Sequence, residues 1–147
     1  AGAVDETISL IARTLKKRWD PVLVGQFGRL QGDNPQRQLA LAEGWLAGRE
    51  EEPQLLLCLG RLAARQRLWE QARDYFERSI SADPGEEACA ELGRLLAASG
   101  DYLQASQYFC AGLALQNDGL PELPLPEEPV PEDRRINAEL EPGEKPG

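Results

Sequence analysis

Apolar residues along this chain recur with the spacing of a helix, and the polar residues between them fall on the opposite side. Ile8, Ile11, Ala12 and Leu15 share one face of the first stretch. Leu56, Leu59 and Ala63, then Ala72 and Phe76, then Ala105 and Phe109 repeat the spacing further on. Together with the prolines and glycines that interrupt it, the pattern predicts seven helices, over 5–17, 21–31, 35–48, 53–66, 69–82, 86–99 and 102–116. Three of them carry one signature, Phe27-Gly28-Arg29-Leu30, Leu59-Gly60-Arg61-Leu62 and Leu92-Gly93-Arg94-Leu95, with glycines 32 and 33 residues apart. A glycine inside a helix costs about 1 kcal/mol relative to alanine. Its return at a fixed period predicts that another helix's backbone approaches there.

Counted from Pro53, Leu56, Leu59, Gly60, Ala63, Ala72, Phe76 and Pro84 occupy positions 4, 7, 8, 11, 20, 24 and 32 of a unit. That unit resembles the tetratricopeptide repeat. A next unit from Glu86 supplies Leu92, Gly93, Ala105 and Phe109 in register, and Ser99-Gly100-Asp101-Tyr102 puts glycine where its first helix stops. Residues 71–76 and 104–109 are near copies. The unit from Pro21 to Glu52 is degenerate: Gly28 and Ala40 fit, but Gly44 stands where the aromatic belongs, with Trp45 beside it. Asp5 to Arg18 falls in register as the second helix of a preceding repeat whose first helix is missing, and the chain has no methionine. It therefore reads as a fragment of a longer protein with a cut N-terminal edge.

These readings predict an all-α tetratricopeptide-repeat α-α superhelix of about three helix pairs plus an N-terminal half-repeat. The resemblance implies antiparallel neighbours and a right-handed coil. Leu59, Ala63, Ala72, Phe76, Leu92, Ala105 and Phe109 are the expected core, and Phe76→Ala is expected to cost about 3–5 kcal/mol. Ile8, Ile11 and Leu15, lacking a covering helix, are expected to stay exposed and to support homo-association through the N-terminal helix; the alternative is that the stripe folds onto the Pro21–Gln31 helix and little remains exposed.

Composition divides the 147 residues into a helical repeat domain, 1–116, and a proline-rich acidic tail, 117–147. Seven of the prolines lie in the tail, where they favour extended or polyproline conformation. The tail also holds nine acidic and three basic residues, so −6 of the chain's net charge of −9 resides there and −3 in the helical part. Nucleic acid is not an expected partner. No apolar run reaches the length of a membrane span. Cys58, Cys89 and Cys110 lack the spacing of zinc or redox sites and are read as small hydrophobes. The chain has no histidine, no phosphate-cradling loop and no nucleophile motif. Glu50-Glu51-Glu52 and Asp83-Pro84-Gly85-Glu86-Glu87 read as solvated turns, the latter placing acids at a helix N-terminus. The expected protein is not an enzyme and has no cofactor or metal.

In tetratricopeptide repeats, as the resemblance implies, the first helix of each pair lines a concave groove through positions 2, 5, 9, 12 and 13. Position 9 is Arg29, Arg61 and Arg94, and Arg65 adds a charge at position 13. Around them fall Val22, Gly25, Leu57, Ala64, Ala90, Ala97 and Ala98. This predicts an arginine ladder on an apolar floor that binds a protein or peptide. Rungs about 10 Å apart would repel by about 0.4 kcal/mol in water and about 1.7 at an effective dielectric of 20. The alternative is that each arginine pairs with an acid such as Glu87 or Glu91 on a neighbouring helix. The chain's own acidic tail is a candidate groove ligand, with Leu123, Leu125 and Val130 on the floor and Glu122, Glu127, Glu128, Glu132 and Asp133 facing the arginines.

Residues 55–62 and 68–79, with Leu15-Lys16-Lys17-Arg18-Trp19-Asp20 and Ala111-Gly112-Leu113, resemble the C-terminal repeat region of the HemY family over about residues 5–116. That proteobacterial inner-membrane family is associated with protohaem IX biosynthesis. The resemblance implies a non-catalytic scaffold in a late step of that pathway, held at the membrane by N-terminal helices this chain lacks. The side of the membrane stays open. Two alternatives stay open as well: a generic tetratricopeptide adaptor unrelated to haem, and a direct porphyrin or haem carrier with arginines on the propionates.

Overall fold

The computed structural model describes residues 2–127. Seven helices follow in order: α1 (Gly2–Lys17), α2 (Pro21–Arg29), α3 (Pro35–Glu43), α4 (Pro53–Arg65), α5 (Trp69–Ala82), α6 (Glu86–Ala98) and α7 (Tyr102–Gln116). No strand occurs among the described residues. The chain is an all-α tetratricopeptide-like α-α superhelix.

Three consecutive helices start by one device. Asp20, Asn34 and Glu52 each precede a proline, and each side chain accepts a backbone N–H, from Val22 at 2.9 Å, Arg37 at 3.0 Å and Leu55 at 2.9 Å. The cap satisfies a donor the helix cannot, and proline at the first helical position sacrifices none. The ends of α4 and α6 also match. The Leu68 N–H returns to Ala63 O and the Asp101 N–H to Leu96 O, both at 3.0 Å. Such a closure needs a left-handed residue one step earlier. In α6 this is Gly100, φ +89; in α4 it is Arg67, φ 60.

The core centres on α4, which packs against α2, α3, α5 and α6. Its run Leu55-Leu56-Leu57-Cys58-Leu59 is buried throughout, which a helix tolerates only when it has neighbours on nearly every side. Of the expected core, Leu59, Ala63, Ala72, Phe76, Leu92 and Ala105 are buried, but Phe109 is 37% exposed. Phe76, the equivalent residue of the preceding unit, is 1% exposed because α6 packs on α5. No described helix covers α7 in the same way.

The glycines have two different reasons. A Cβ at Gly28 would lie 2.9 Å from Cys58 Cα, a true close approach of α2 to α4. Cβ atoms at Gly60 and Gly93 would instead enter the rings of Phe76 and Phe109, so there glycine accommodates an aromatic side chain rather than a backbone. In the degenerate unit the aromatic is missing, and α2 packs on α4 more than on α3. Trp45 takes over the role one residue downstream, packing edge-on against Phe27 with ring centroids 4.8 Å apart. The expected extension of α3 to residue 48 does not form: turns begin at Gly44 and bring Trp45 back over the core.

At the N-terminal edge the expectation is overturned. Ile8, Ile11 and Leu15 are buried, because the stripe folds onto the core alongside α2. The apolar surface that motivated association through α1 is already used. Beyond α7, Leu120, Leu123 and Leu125 are exposed. The described part of the tail thus leaves Leu123 and Leu125 in solvent rather than on a groove floor, and Glu128, Val130, Glu132 and Asp133 lie outside the described residues.

Candidate functional site: an arginine–glutamate chain across three helices

Arg29 on α2, Arg61 on α4 and Arg94 on α6 occupy the same repeat position, so the stacking of units brings them onto one face. They do not stand free. Glu87 and Glu91, one turn apart on α6, lie between them. Glu87 accepts from Arg29 through Oε1 and from Arg61 Nη2 through Oε2 at 3.1 Å. Glu91 accepts from Arg61 Nε through Oε1 at 3.3 Å, and its Oε2 lies 3.8 Å from Arg94 Nη2. Each carboxylate bridges two guanidinium groups, giving an alternating chain of three cations and two anions with one positive charge in excess. The acid-paired arrangement thus describes these three arginines, and the open ladder does not. Glu87 sits in the first turn of α6, where the helix dipole favours a carboxylate.

Burial grades the chain. The Arg61 side chain is 13% exposed, while Arg29 and Arg94 are 60% and 73% exposed. The outer pairs are screened and each contributes about 0–1 kcal/mol. Arg61 is held on both sides, yet its Nη1 is buried with no acceptor. A buried donor left unpaired costs about 1–3 kcal/mol. Beside Arg29 and Glu87 opens a cleft of about 460 Å³, lined also by Pro21, Val22, Gly25, Gln26 and Gln54. Gly25 keeps its floor low, since a Cβ there would meet Gln54 Oε1 at 3.3 Å.

The other expected site residues divide. Leu57 is core, 3% exposed, because α4 is enclosed on that side too. Ala64 and Ala97 are half-buried, and Ala90 and Ala98 are exposed. Arg65 belongs to a different structure. Its Nη1 donates to Leu30 O and Gln38 Oε1, both at 3.1 Å, and its Nη2 donates to Gly32 O at 3.3 Å. Gln38 is 2% exposed and donates in turn to Phe27 O and Leu30 O, both at 2.9 Å. Together they satisfy carbonyls at the end of α2 and pin the following turn to α4. Arg65 is a structural cation. Gln38 had one sequence signal, a polar residue beside Leu39 and Ala42 on the buried side of α3, but its partners are set by folding.

The thiols follow burial. Cys58 and Cys89 are buried and Cys110 is exposed. Desolvation pushes the Cys58 thiol up to about 12 and raises that of Cys89. No cluster of three or more His, Cys, Asp or Glu side chains is placed to hold a metal ion among the described residues. Of the side chains that could reach haem iron, Cys58, Cys89 and Tyr75 are core, and Cys110, Tyr102 and the half-buried Tyr108 stand on α7, not on the first helices of the pairs that carry the arginines.

The helix pairs and their stacking define a protein of the tetratricopeptide-like class. Its structural likeness is to MamA, a tetratricopeptide-repeat protein. "MamA 41-end from Desulfovibrio magneticus RS-1" is 14% identical with a TM-score of 0.61, over 80% of this chain and 69% of that one. The "MamA RS-1 ArsTM double mutant" is 14% identical with a TM-score of 0.60, over 79% and 67%. At such identity the likeness concerns the fold alone. No family model and no curated protein matches the chain. Among the described residues no helix is long and apolar enough to cross a membrane.

Proposed function

We propose that the protein is a non-catalytic interaction scaffold whose α2–α4–α6 face binds an acidic segment of a protein partner. The observation that carries this reading is the position of Glu87. It is 44% exposed, borders the cleft, and holds Arg29 and Arg61 by contacts a ligand carboxylate can replace. A partner carboxylate entering from the cleft displaces Glu87 and gains a charge-assisted contact to two arginines. Half-exposed Glu87 returns to water at little cost, so exchange is cheap in both directions. The one excess positive charge of the chain sets the sign of the ligand.

The test is a peptide array of extended acidic sequences, with amidated counterparts, probed with the full chain. Glu87→Gln, which weakens the internal competitor, should tighten binding several-fold, and Arg61→Ala should remove it. Affinity should fall with added salt. Equal binding of acidic and amidated peptides, or no response to Glu87→Gln, rejects the reading. The likeness of residues 55–62 and 68–79 to the HemY region supports placing the partner in protohaem IX biosynthesis. Co-purification of a pathway enzyme with the full chain, lost in Arg61→Ala, tests that step.

A further inference from the structure

α1 packs chiefly on α2, and between α1 and α3 runs a cleft of about 530 Å³. Both of these are second helices of their pairs, so the cleft is separate from the α2–α4–α6 face. Its floor is apolar. Leu15 on α1 and Leu41 on α3 line it, and the half-buried Trp19 and Trp45, which follow those helices in the chain, complete it with ring centroids 6.0 Å apart. Three cations line it as well: Arg13 and Lys16 on α1, and Arg49 from the turns after α3. No acidic residue does.

These cations differ from those of the arginine–glutamate chain. No ion pair among the described residues includes Arg13, Lys16 or Arg49. Arg49 is nevertheless held in place. Its guanidinium carbon lies 4.0 Å from the centre of the Trp19 ring, and its Nη1 donates to Trp45 O at 3.4 Å. A guanidinium placed over an indole keeps its remaining N–H donors for a carboxylate. No acceptor for Nε or Nη2 is found among the described residues. Two acids close by in sequence are used elsewhere: Glu50 accepts from the Gly48 N–H at 3.0 Å and Glu52 from the Leu55 N–H at 2.9 Å. A donor fixed before its ligand arrives binds at a smaller entropic cost.

Helix geometry explains only part of this charge. A basic last turn suits a helix C-terminus, which accounts for Lys16 and Lys17. It does not account for Arg13, which precedes that turn, or for Arg49 on another element. From Thr7 to Trp19 the chain has four cations and no acid, although its net charge is −9.

We propose that the α1–α3 cleft is a second binding site, for an acidic peptide segment of a partner protein that carries a large apolar side chain. The apolar side chain seats against the two indoles and the leucines, and carboxylates beside it meet Arg49 on one rim and Arg13 and Lys16 on the other. Charge fixes the occupant. Unpaired cations with no acid among them call for anions, and a purely ionic ligand would leave the apolar floor in water. Tryptophan and arginine are the side chains that most often dominate such contacts. A bilayer would meet side chains that stand out from the surface, whereas Trp19 and Trp45 are half-buried and are reached by a side chain inserted between the helices.

Two of the chain's three tryptophans form the site, which gives a direct readout. In the full chain with Trp69→Phe, a 50% exposed position outside the cleft, emission comes from Trp19 and Trp45 alone. Titration with an acetylated, amidated hexapeptide of alternating glutamate and leucine should shift that emission to shorter wavelength and saturate. The same peptide with glutamine for glutamate, and a hexapeptide of glutamate alone, should each bind about tenfold more weakly. Arg49→Ala should weaken binding by about tenfold or more, and so should Arg13→Glu/Lys16→Glu. Arg13 and Lys16 are exposed, so helical content by circular dichroism should be unchanged in the double variant. No saturable shift, equal binding of the three peptides, or indifference to both variants overturns the inference. So does a shift given by phosphatidylcholine–phosphatidylglycerol vesicles and not by the peptide, which would make the cleft a membrane contact. If the peptide has no effect while Arg13→Glu/Lys16→Glu alone moves the emission to longer wavelength, the chain's own acidic segment is the occupant and the inference is again overturned.

Discussion

Single residues here show how burial decides chemistry that residue type leaves open. Cys58 and Cys110 are the same side chain, one enclosed by α4's neighbours and one at the surface. With its thiol pushed from an ordinary 9.0 up to about 12, Cys58 stays protonated in the folded state where the unfolded chain would ionise it. The sign follows: a raised folded value gives a contribution that is complete below about pH 9 and lost as pH rises towards 12. Stability should decline across that window with a slope from this group approaching about 1.4 kcal/mol per pH unit. Urea titrations from pH 8 to 11 should show the decline, and Cys58→Ala should flatten it. An unchanged slope in the variant would mean the thiol does not carry it. Arg61 and Arg65 make the same point for cations. Both were legible as charges at groove positions, but one became a bridge between carboxylates and the other a brace for backbone carbonyls.

Elements were easier to read than their ends. Helix starts at Pro21, Pro35 and Pro53 follow from local rules, a capping side chain before proline, and need no tertiary information. The stops of α4 and α6 were both legible to within a residue or so, but only Gly100 announced its conformation; Arg67 adopts the same left-handed conformation without the residue that favours it. A non-glycine residue there costs about 1–2 kcal/mol. Arg67→Gly should therefore stabilise the protein by about 1 kcal/mol, seen as a higher denaturation midpoint with unchanged m-value. A loss of stability would show that the Arg67 side chain contributes more than its backbone costs. The end of α3 was missed for another reason: Gly44 and Trp45 left the helix so that an indole could fill the place of an absent aromatic, and that place is created by α2 and α4.

Across the whole molecule stability is distributed as in a stack, each element depending on those it touches. α4 is enclosed by four helices, whereas α1 packs chiefly on α2. Amide exchange should be slowest in α4, at the limit of global unfolding, and α1 should open separately and sooner. Exchange of α1 and α4 at one common rate would show a single cooperative unit instead.

Periodicity, the recurring glycine and the 33-residue register sufficed for the helices, the repeat class and most of the core, because those depend on residues near one another in sequence or equivalent by repetition. The same register put Arg29, Arg61 and Arg94 on one face. It could not say what lies between them. Glu87 and Glu91 reach that space only once α6 is stacked on α4, and whether Phe109 is buried depends on a neighbour outside its own repeat. Register is local and inherited from unit to unit; pairing and coverage are made across units, and only the packed chain decides them.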